Sequence, residues 1–349
     1  MFTRGQQPKT LLKQLIIVAA LLVMNGCASN GPPPPTLTWP PAPRPPRIEY
    51  TRSIYGSQSL PRGFFAKFKD FFFGKSPDMA LGKPYGLTYD GKSTLYIIDT
   101  AKKGLMTLNL DNGQIGFIES LGPYGRLIEP VNVIIDEQRN IYVADTGLKK
   151  IVVFDRDGVF SHFIGEGILA SPVGLVFGPR EEQLFVTDSA QHDVKIFSPA
   201  GELIGGFGKR GDQAGEFYHP LGITINQMDQ VLVVDSFHFA VQAFDLTGNY
   251  LFSFGSTTKG LGSLARPRGI TTDSENLIYV TDALRNNVQI FDPQGSRLLS
   301  FGAMGLGPGQ FRLPAGICFT ADDRIFVVDS INKRIQEFKY VARGQESSS

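Results

Sequence analysis

An all-β fold assembled from repeats is the architecture this sequence predicts, on three observations. An apolar strand ending in Asp recurs six times: LYIID, IYVAD, LFVTD, VLVVD, IYVTD and IFVVD stop at Asp99, Asp145, Asp188, Asp235, Asp282 and Asp329, at intervals of 46, 43, 47, 47 and 47 residues. Each is preceded by a proline, at Pro84, Pro130, Pro172, Pro220, Pro267 and Pro314, with Gly two residues later in every unit except the second, which has Asn132. The 349-residue chain also holds 39 Gly, 23 Pro, 27 Phe and 11 Tyr, the composition of a turn-rich β protein.

Within a unit, the Pro-led strand comes first and the Asp-ended strand second. IVVFD, VKIFS, VQAFD, VQIFD and IQEF supply the third in units two to six, and Gly-led segments such as GELIGGFG, GNYLFSFG and GSRLLSFG supply the fourth. The apolar runs are nearly continuous rather than alternating, so both faces of each small sheet are covered. Sheets covered by their neighbours at a 40–50-residue period describe propeller blades, and six units predict a six-bladed β-propeller of four-stranded antiparallel blades. The repeated pattern GxFxxPxGI…YVxD…VxxFDxxGxxLxxFG resembles the NHL-repeat family over about residues 81–338. WD40 repeats are disfavoured, because the single Trp, Trp39, lies outside the units.

The sixth unit lacks its fourth strand, since Phe338 is followed by the polar KYVARGQESSS. The segment RIEYTRSIYG, from Arg47 to Gly56, has the missing pattern. Pairing it into blade six joins the chain ends and removes an open edge. The propeller is therefore expected over 47–340, with a disordered tail over 341–349.

Ahead of it, Arg4, Lys9 and Lys13 precede the ten apolar residues LIIVAALLVM, a signal-peptide core too short to span a bilayer. The run ends in VMNGC, which resembles a bacterial lipobox. That resemblance implies a signal peptide over 1–26, lipid on Cys27 and attachment to the cell envelope, at the outer membrane if the cell has two. Nine of the fifteen residues from Pro32 to Pro46 are Pro, so 27–46 is expected as a tether, its Pro-rich part a polyproline II spacer of about 45 Å. Cys318, in AGICFT, is expected as an unreactive core filler.

Between closing strand and first blade lies PRGFFAKFKDFFFGK, residues 61–75. Phe64, Phe65, Phe68, Phe71 and Phe72 share one helical face, which predicts an amphipathic helix. It would cover one propeller face or the channel mouth, lie on a membrane surface, or dock a partner.

Motifs of chemistry are sparse. Gly206, Gly208 and Gly211 spell GxGxxG, but a strand rather than a helix follows, so no dinucleotide site is expected. The six strand-end Asp residues are spread around the ring and are read as acceptors of backbone N–H groups. NHL-type lyases hold zinc with His around the channel and related lactonases hold calcium with carboxylates and amides. The four His here (162, 192, 219 and 238) fall at different repeat positions, so no metal, cofactor or catalytic group is assigned; Glu129, Asn132 and His219 are the candidates for the enzyme alternative.

Topology places the second-to-third-strand loops and the blade-to-blade loops on one face. That brings Lys83, Tyr85, Glu129, Asn132, Tyr218, His219, Arg266 and Arg268 to the channel mouth as a candidate ligand face. Phe237, His238 and Phe239 are either inter-blade packing or a further contact. The net charge of +1 argues against a nucleic-acid partner. The expected function is a lipid-anchored envelope module, without catalysis, that binds a protein, peptide or glycan; the alternative is a lactonase or lyase using a channel metal.

Overall fold

A computed structural model of the chain describes residues 37–41, 43–45, 47–60, 79–256 and 263–341. The described residues belong to one compact unit. Cys27, the signal peptide, the expected helix over 61–75 and most of the tail lie outside the described residues.

Six antiparallel sheets follow one another around a ring. The first blade comprises Pro84–Tyr89, Thr94–Asp99, Gly104–Asn109 and Ile115–Ile118, paired in that order from the axis outward. Blades two to five repeat the plan from Pro130, Pro172, Pro220 and Pro267. The second strand of each blade is fully buried from its first apolar residue to its Asp, as in Val231–Asp235. That is why the strands read as continuous apolar runs. Six hydrophobic clusters fill the structure, one at each junction between neighbouring blades. Burying one Leu, Ile or Phe side chain contributes about 1.5–3 kcal/mol, so a blade exposed on one side would lose many such terms.

The Gly of the inner strand exists for the same packing. A Cβ on Gly174 would sit 2.2 Å from the Leu221 carbonyl oxygen of the next blade. Only a residue without a side chain lets the inner strands converge there. The preceding Pro starts the strand, where no N–H is needed for the ladder.

The ring closes as expected. Pro314–Phe319, Arg324–Asp329 and Arg334–Tyr340 form three strands of blade six, and Ile48–Ile54 is the fourth, with Ile48 opposite Tyr340 and Ile54 opposite Ile335. Ile54, Leu60 and Leu81 join Phe326 and Val328 in the cluster between blades six and one. Arg334 clasps the closure. Its Nε donates to Asp329 at 2.8 Å, its Nη2 to the carbonyls of Gly307 and Gln310, and its Nη1 to the Tyr55 hydroxyl at 3.1 Å.

The Pro-rich stretch is not all spacer. Thr38–Trp39 pairs with the closing strand as a fifth, edge strand of blade six. The Trp39 ring packs 5.8 Å from Phe301 and 5.9 Å from Phe338. The gain from burying an indole outweighs the polyproline preference at this point, and the prolines that follow keep the strand to two residues at an edge.

Candidate functional site

The face on which the inner strands begin is built by the six strand-end Asp side chains. Asp99 accepts N–H bonds from Gly82 and Lys83 in the incoming blade-to-blade loop, and from Ala101 and Lys102 in the following turn. Asp188 and Asp282 repeat this fourfold pattern, while Asp145 and Asp235 share its link to the incoming loop. The Asp residues thus accept N–H bonds as the sequence suggested, and they also fix the loop from the previous blade. The two loop types that make this face become one rigid surface.

Lys83, Glu129, His219 and Arg266 occupy equivalent positions, each just before the inner-strand Pro; Ser171 and Leu313 complete the ring. In blades one to five their carbonyls accept from the residue after the strand-end Asp, as Lys83 does from Thr100 at 3.0 Å, whereas in blade six Ile331 donates to the Arg312 carbonyl at 3.2 Å. Their side chains are thereby set around the face. Tyr85, Asn132 and Arg268 lie inside the channel instead. The Arg268 guanidinium sits 5.7 Å from the centre of the Tyr85 ring. Blade six lies between those two blades and has only Ala315 at this level, which leaves them room to meet. Asn132 turns its side-chain oxygen to the Val133 N–H at 2.9 Å.

The channel does not fit a resident metal. Among the described residues, Tyr85, Asn132 and Arg268 are its only polar side chains; Val131, Val173, Leu221, Ala315 and glycines complete the described lining, which holds no carboxylate or His. A fixed guanidinium there opposes a cation. The free volume is about 50 Å³, against roughly 300 Å³ or more for a small-molecule pocket. Nor does any group of three or more His, Cys, Asp or Glu gather elsewhere among the described residues. Glu129 reaches only Thr146, at 3.4 Å, and His219 stacks on Phe237.

Around blades three and four the predicted residues do converge. The His219 and Phe237 rings lie 4.7 Å apart and 18° from parallel. Arg210 covers Tyr218 at 5.4 Å, and the Tyr218 carbonyl accepts from His192 Nδ1 at 2.7 Å. His238 lies between Asp235 (2.7 Å) and Asp212 (3.1 Å). Burial opposes its charge, but the two carboxylates prevail and raise its pKa. Burial lowers that of His219. Phe237 and Phe239 point outward, so the Phe-His-Phe turn divides its duties: His238 packs between blades and the two rings face solvent. Phe239 also has φ of 56°, a conformation that bulky side chains avoid.

Two features escape single-residue reading. Gln242 and Gln336 on the third strands are buried and bond both partners in the loop before their blade. Gln336 takes the Gly309 N–H at 2.8 Å and donates to the Gln310 carbonyl at 2.6 Å. Gln242 does the same with Gly215 and Glu216. Gln289 donates to the Ser263 carbonyl. Blades four to six therefore hold their incoming loops through one repeated amide, legible as VQAF, VQIF and IQEF. The same three blades place Phe237, Leu284 and Ile331 where blades one to three have Ala101, Gly147 and Ala190.

The second feature is charge. The second-to-third-strand turns carry Lys102, Lys103, Lys149, Arg285 and Lys333, and no Asp or Glu. On the opposite face, the first-to-second-strand turns carry ten carboxylates against Lys92, Arg139 and Arg180. The third-to-fourth-strand turns of blades one to five there add Asp111, Asp155, Asp157, Glu202, Asp245 and Asp292 against Arg156 alone. The blade-to-blade loops beside the basic turns are mixed, with Glu119, Glu129, Glu166, Asp212 and Glu216 against Lys83, Arg126, Lys209, Arg210, Arg266 and Arg312, so among the described residues a chain with net charge +1 is split into a face with a basic excess and an acidic face.

Comparisons agree with this architecture. Residues 179–257 and 268–343 match a family model, DUF5128, described as a 6-bladed beta-propeller. Human E3 ubiquitin-protein ligase TRIM32 is 33% identical over 137 residues, 33% of this chain and 20% of that protein. Human NHL repeat-containing protein 2 is 26% identical over 156 residues, 35% of this chain and 22% of that protein. The chain therefore spans about a fifth of the length of these relatives. Among solved structures, a streptogramin B lyase superposes with a TM-score of 0.56 at 14% identity, covering 74% of this chain and 94% of that one. An auxiliary nutrient binding protein from Bacteroides thetaiotaomicron does so with 0.59 at 14% identity, covering 74% and 69%. At such identities the likeness is one of fold alone. Repeat spacing, blade count and sequence relatives together make this chain a six-bladed β-propeller whose repeats are similar to those of NHL-repeat proteins.

Proposed function

We propose that this propeller is a non-catalytic binding or scaffolding module of the bacterial cell envelope, tethered by lipid on Cys27, and that its basic face is the binding surface. The observation that carries this reading is the separation of charge between the two faces. Lys and Arg side chains on short turns, stitched by buried Asp, form a preorganised surface for an anionic partner. The lactonase or lyase alternative is not favoured, because the channel has neither the volume nor the donor set for it.

A pull-down from detergent-solubilised envelope tests the reading. The parent chain, a basic-face variant (Lys102→Glu, Lys149→Glu, Arg285→Glu) and an acidic-face variant (Glu182→Lys, Asp229→Lys, Asp157→Lys) are compared. Partners retained by the acidic-face variant and lost from the basic-face variant are expected. Equal recovery by both variants would overturn the choice of face.

A further inference from the structure

On the basic face, three consecutive blades present large apolar side chains at one repeat position. Phe237 is 47% exposed, Leu284 64% and Ile331 39%. Met304 and Leu306, in the loop between blades five and six, are exposed beside them; the Gly305 carbonyl between these two accepts from Asn332 of the Ile331 turn at 2.9 Å. Arg285 follows Leu284 directly, and Lys333 lies two residues after Ile331. Apolar tips thus project from second-to-third-strand turns whose charged side chains are all basic, with Asp212 and Glu216 of the neighbouring blade-to-blade loop nearest Phe237 and Arg312 the charged residue of the described blade-five-to-six loop. An arc of this kind on three neighbouring blades is larger than scattered exposed residues require.

The chain direction adds an independent constraint. Thr38–Trp39 runs antiparallel to Ile48–Ile54, which ends on the basic face. The described chain therefore enters blade six from the basic side. Leu37 lies there against Gly309, in the same blade-five-to-six loop as Met304 and Leu306.

From these observations we infer that the arc on blades four to six docks on an anionic phospholipid surface. Phe237, Leu284 and Ile331 enter the interfacial region, and Arg285 and Lys333 pair with lipid phosphates. Apolar side chains ringed by Lys and Arg match that interface, which has anionic groups above hydrocarbon. A purely polar anionic partner would leave the apolar tips in water. The inference rests on the reading of the basic face as the working surface, and it names what that surface meets.

Vesicle co-sedimentation tests it, with protein beginning at Leu37, which retains every strand of all six blades and no lipidated Cys. Vesicles of phosphatidylcholine alone are compared with vesicles containing 30% phosphatidylglycerol. At least tenfold tighter binding to the anionic vesicles is expected. Phe237→Ser/Leu284→Ser/Ile331→Ser and, separately, Arg285→Glu/Lys333→Glu should each lose at least tenfold. Thermal unfolding of both variants separates lost docking from lost folding, which matters for the charge variant too because Arg285 pairs with buried Asp282 at 3.6 Å. Absent binding, equal binding to both vesicles, or unchanged binding by either folded variant would overturn the inference. If vesicles fail while the envelope pull-down still depends on the basic face, the binding function stands and the lipid partner does not.

Discussion

Replacing Arg334 by Met gives the sharpest test of how the ring is held shut. The side chain is 2% exposed. Its guanidinium joins four parts of the closure: Asp329, Tyr55, and the carbonyls of Gly307 and Gln310. Met fills similar volume but supplies no donor. Asp329 keeps bonds from the Arg312 N–H at 2.8 Å, Asn332 at 2.8 Å and Gln336 at 3.1 Å, so its charge stays partly satisfied. Two carbonyls lose a charged donor. Breaking a buried ion pair by removing one partner costs about 3–5 kcal/mol, and the surviving bonds place this case near about 3. At roughly 2 °C of Tm per kcal/mol for a domain of this size, the unfolding midpoint should fall by about 6 °C. Urea unfolding followed by fluorescence of Trp39, which sits on the edge strand paired with the closing strand, reads the effect at the seam. Arg334→Lys should recover part of the loss, because an ammonium reaches Asp329 but lacks the planar fork. A Met variant within about 1 kcal/mol of the parent, by the same measurement, would refute the clasp.

Three more expectations follow from the packing and the titrating groups. Gly174→Ala should cost about 1–3 kcal/mol by overpacking, since its Cβ would meet the Leu221 carbonyl at 2.2 Å; equilibrium unfolding at the parent midpoint would contradict the close approach of blades three and four. His238 has a raised pKa in the folded state, with burial opposing and Asp212 and Asp235 favouring the charge, so its contribution is complete below the unfolded value near 6.5 and is lost as pH rises through the folded value. The stability advantage of the parent over His238→Gln should therefore shrink as pH rises above about 6.5, and a growing advantage would reverse the assignment. Cys318 has its thiol pushed up to about 11 by burial, which lowers the thiolate population about a hundredfold relative to the ordinary value of 9.0; labelling by a maleimide at pH 8 as fast as free cysteine would contradict that environment.

Much of the fold was written in spacing. Asp, Pro and Gly recur at fixed offsets because each meets a demand made once per blade: an acceptor for two loops, a strand start without a donor, and a point of close backbone approach. The closing strand was legible because the sixth unit visibly lacks one. Thr38–Trp39 was not, since a Pro-rich composition predicts extended solvated chain and says nothing of an aromatic pocket formed by Phe301 and Phe338, more than 260 residues away. At the site, the positions of Lys83, Glu129, His219 and Arg266 followed from the repeat register. The channel's small volume did not, because it depends on how near six inner strands approach. The division of charge was hidden for a different reason. Net charge sums both faces, and only the antiparallel order of strands assigns each turn to one side. Leu284 and Ile331 look ordinary alone and become an arc only when aligned with Phe237.

Lysine footprinting of the protein in the cell envelope proposed for it tests the account most directly. An amine-reactive label is applied before and after detergent release, and each lysine is read by mass spectrometry. With the basic face engaged, Lys103, Lys149 and Lys333 should label several-fold more slowly in the envelope than after release. Lys92, on the acidic face, and Lys339, near it on blade six, should label alike in both. Protection of Lys92 with free labelling of Lys103, Lys149 and Lys333, or no protection anywhere, would contradict the assignment of the working face.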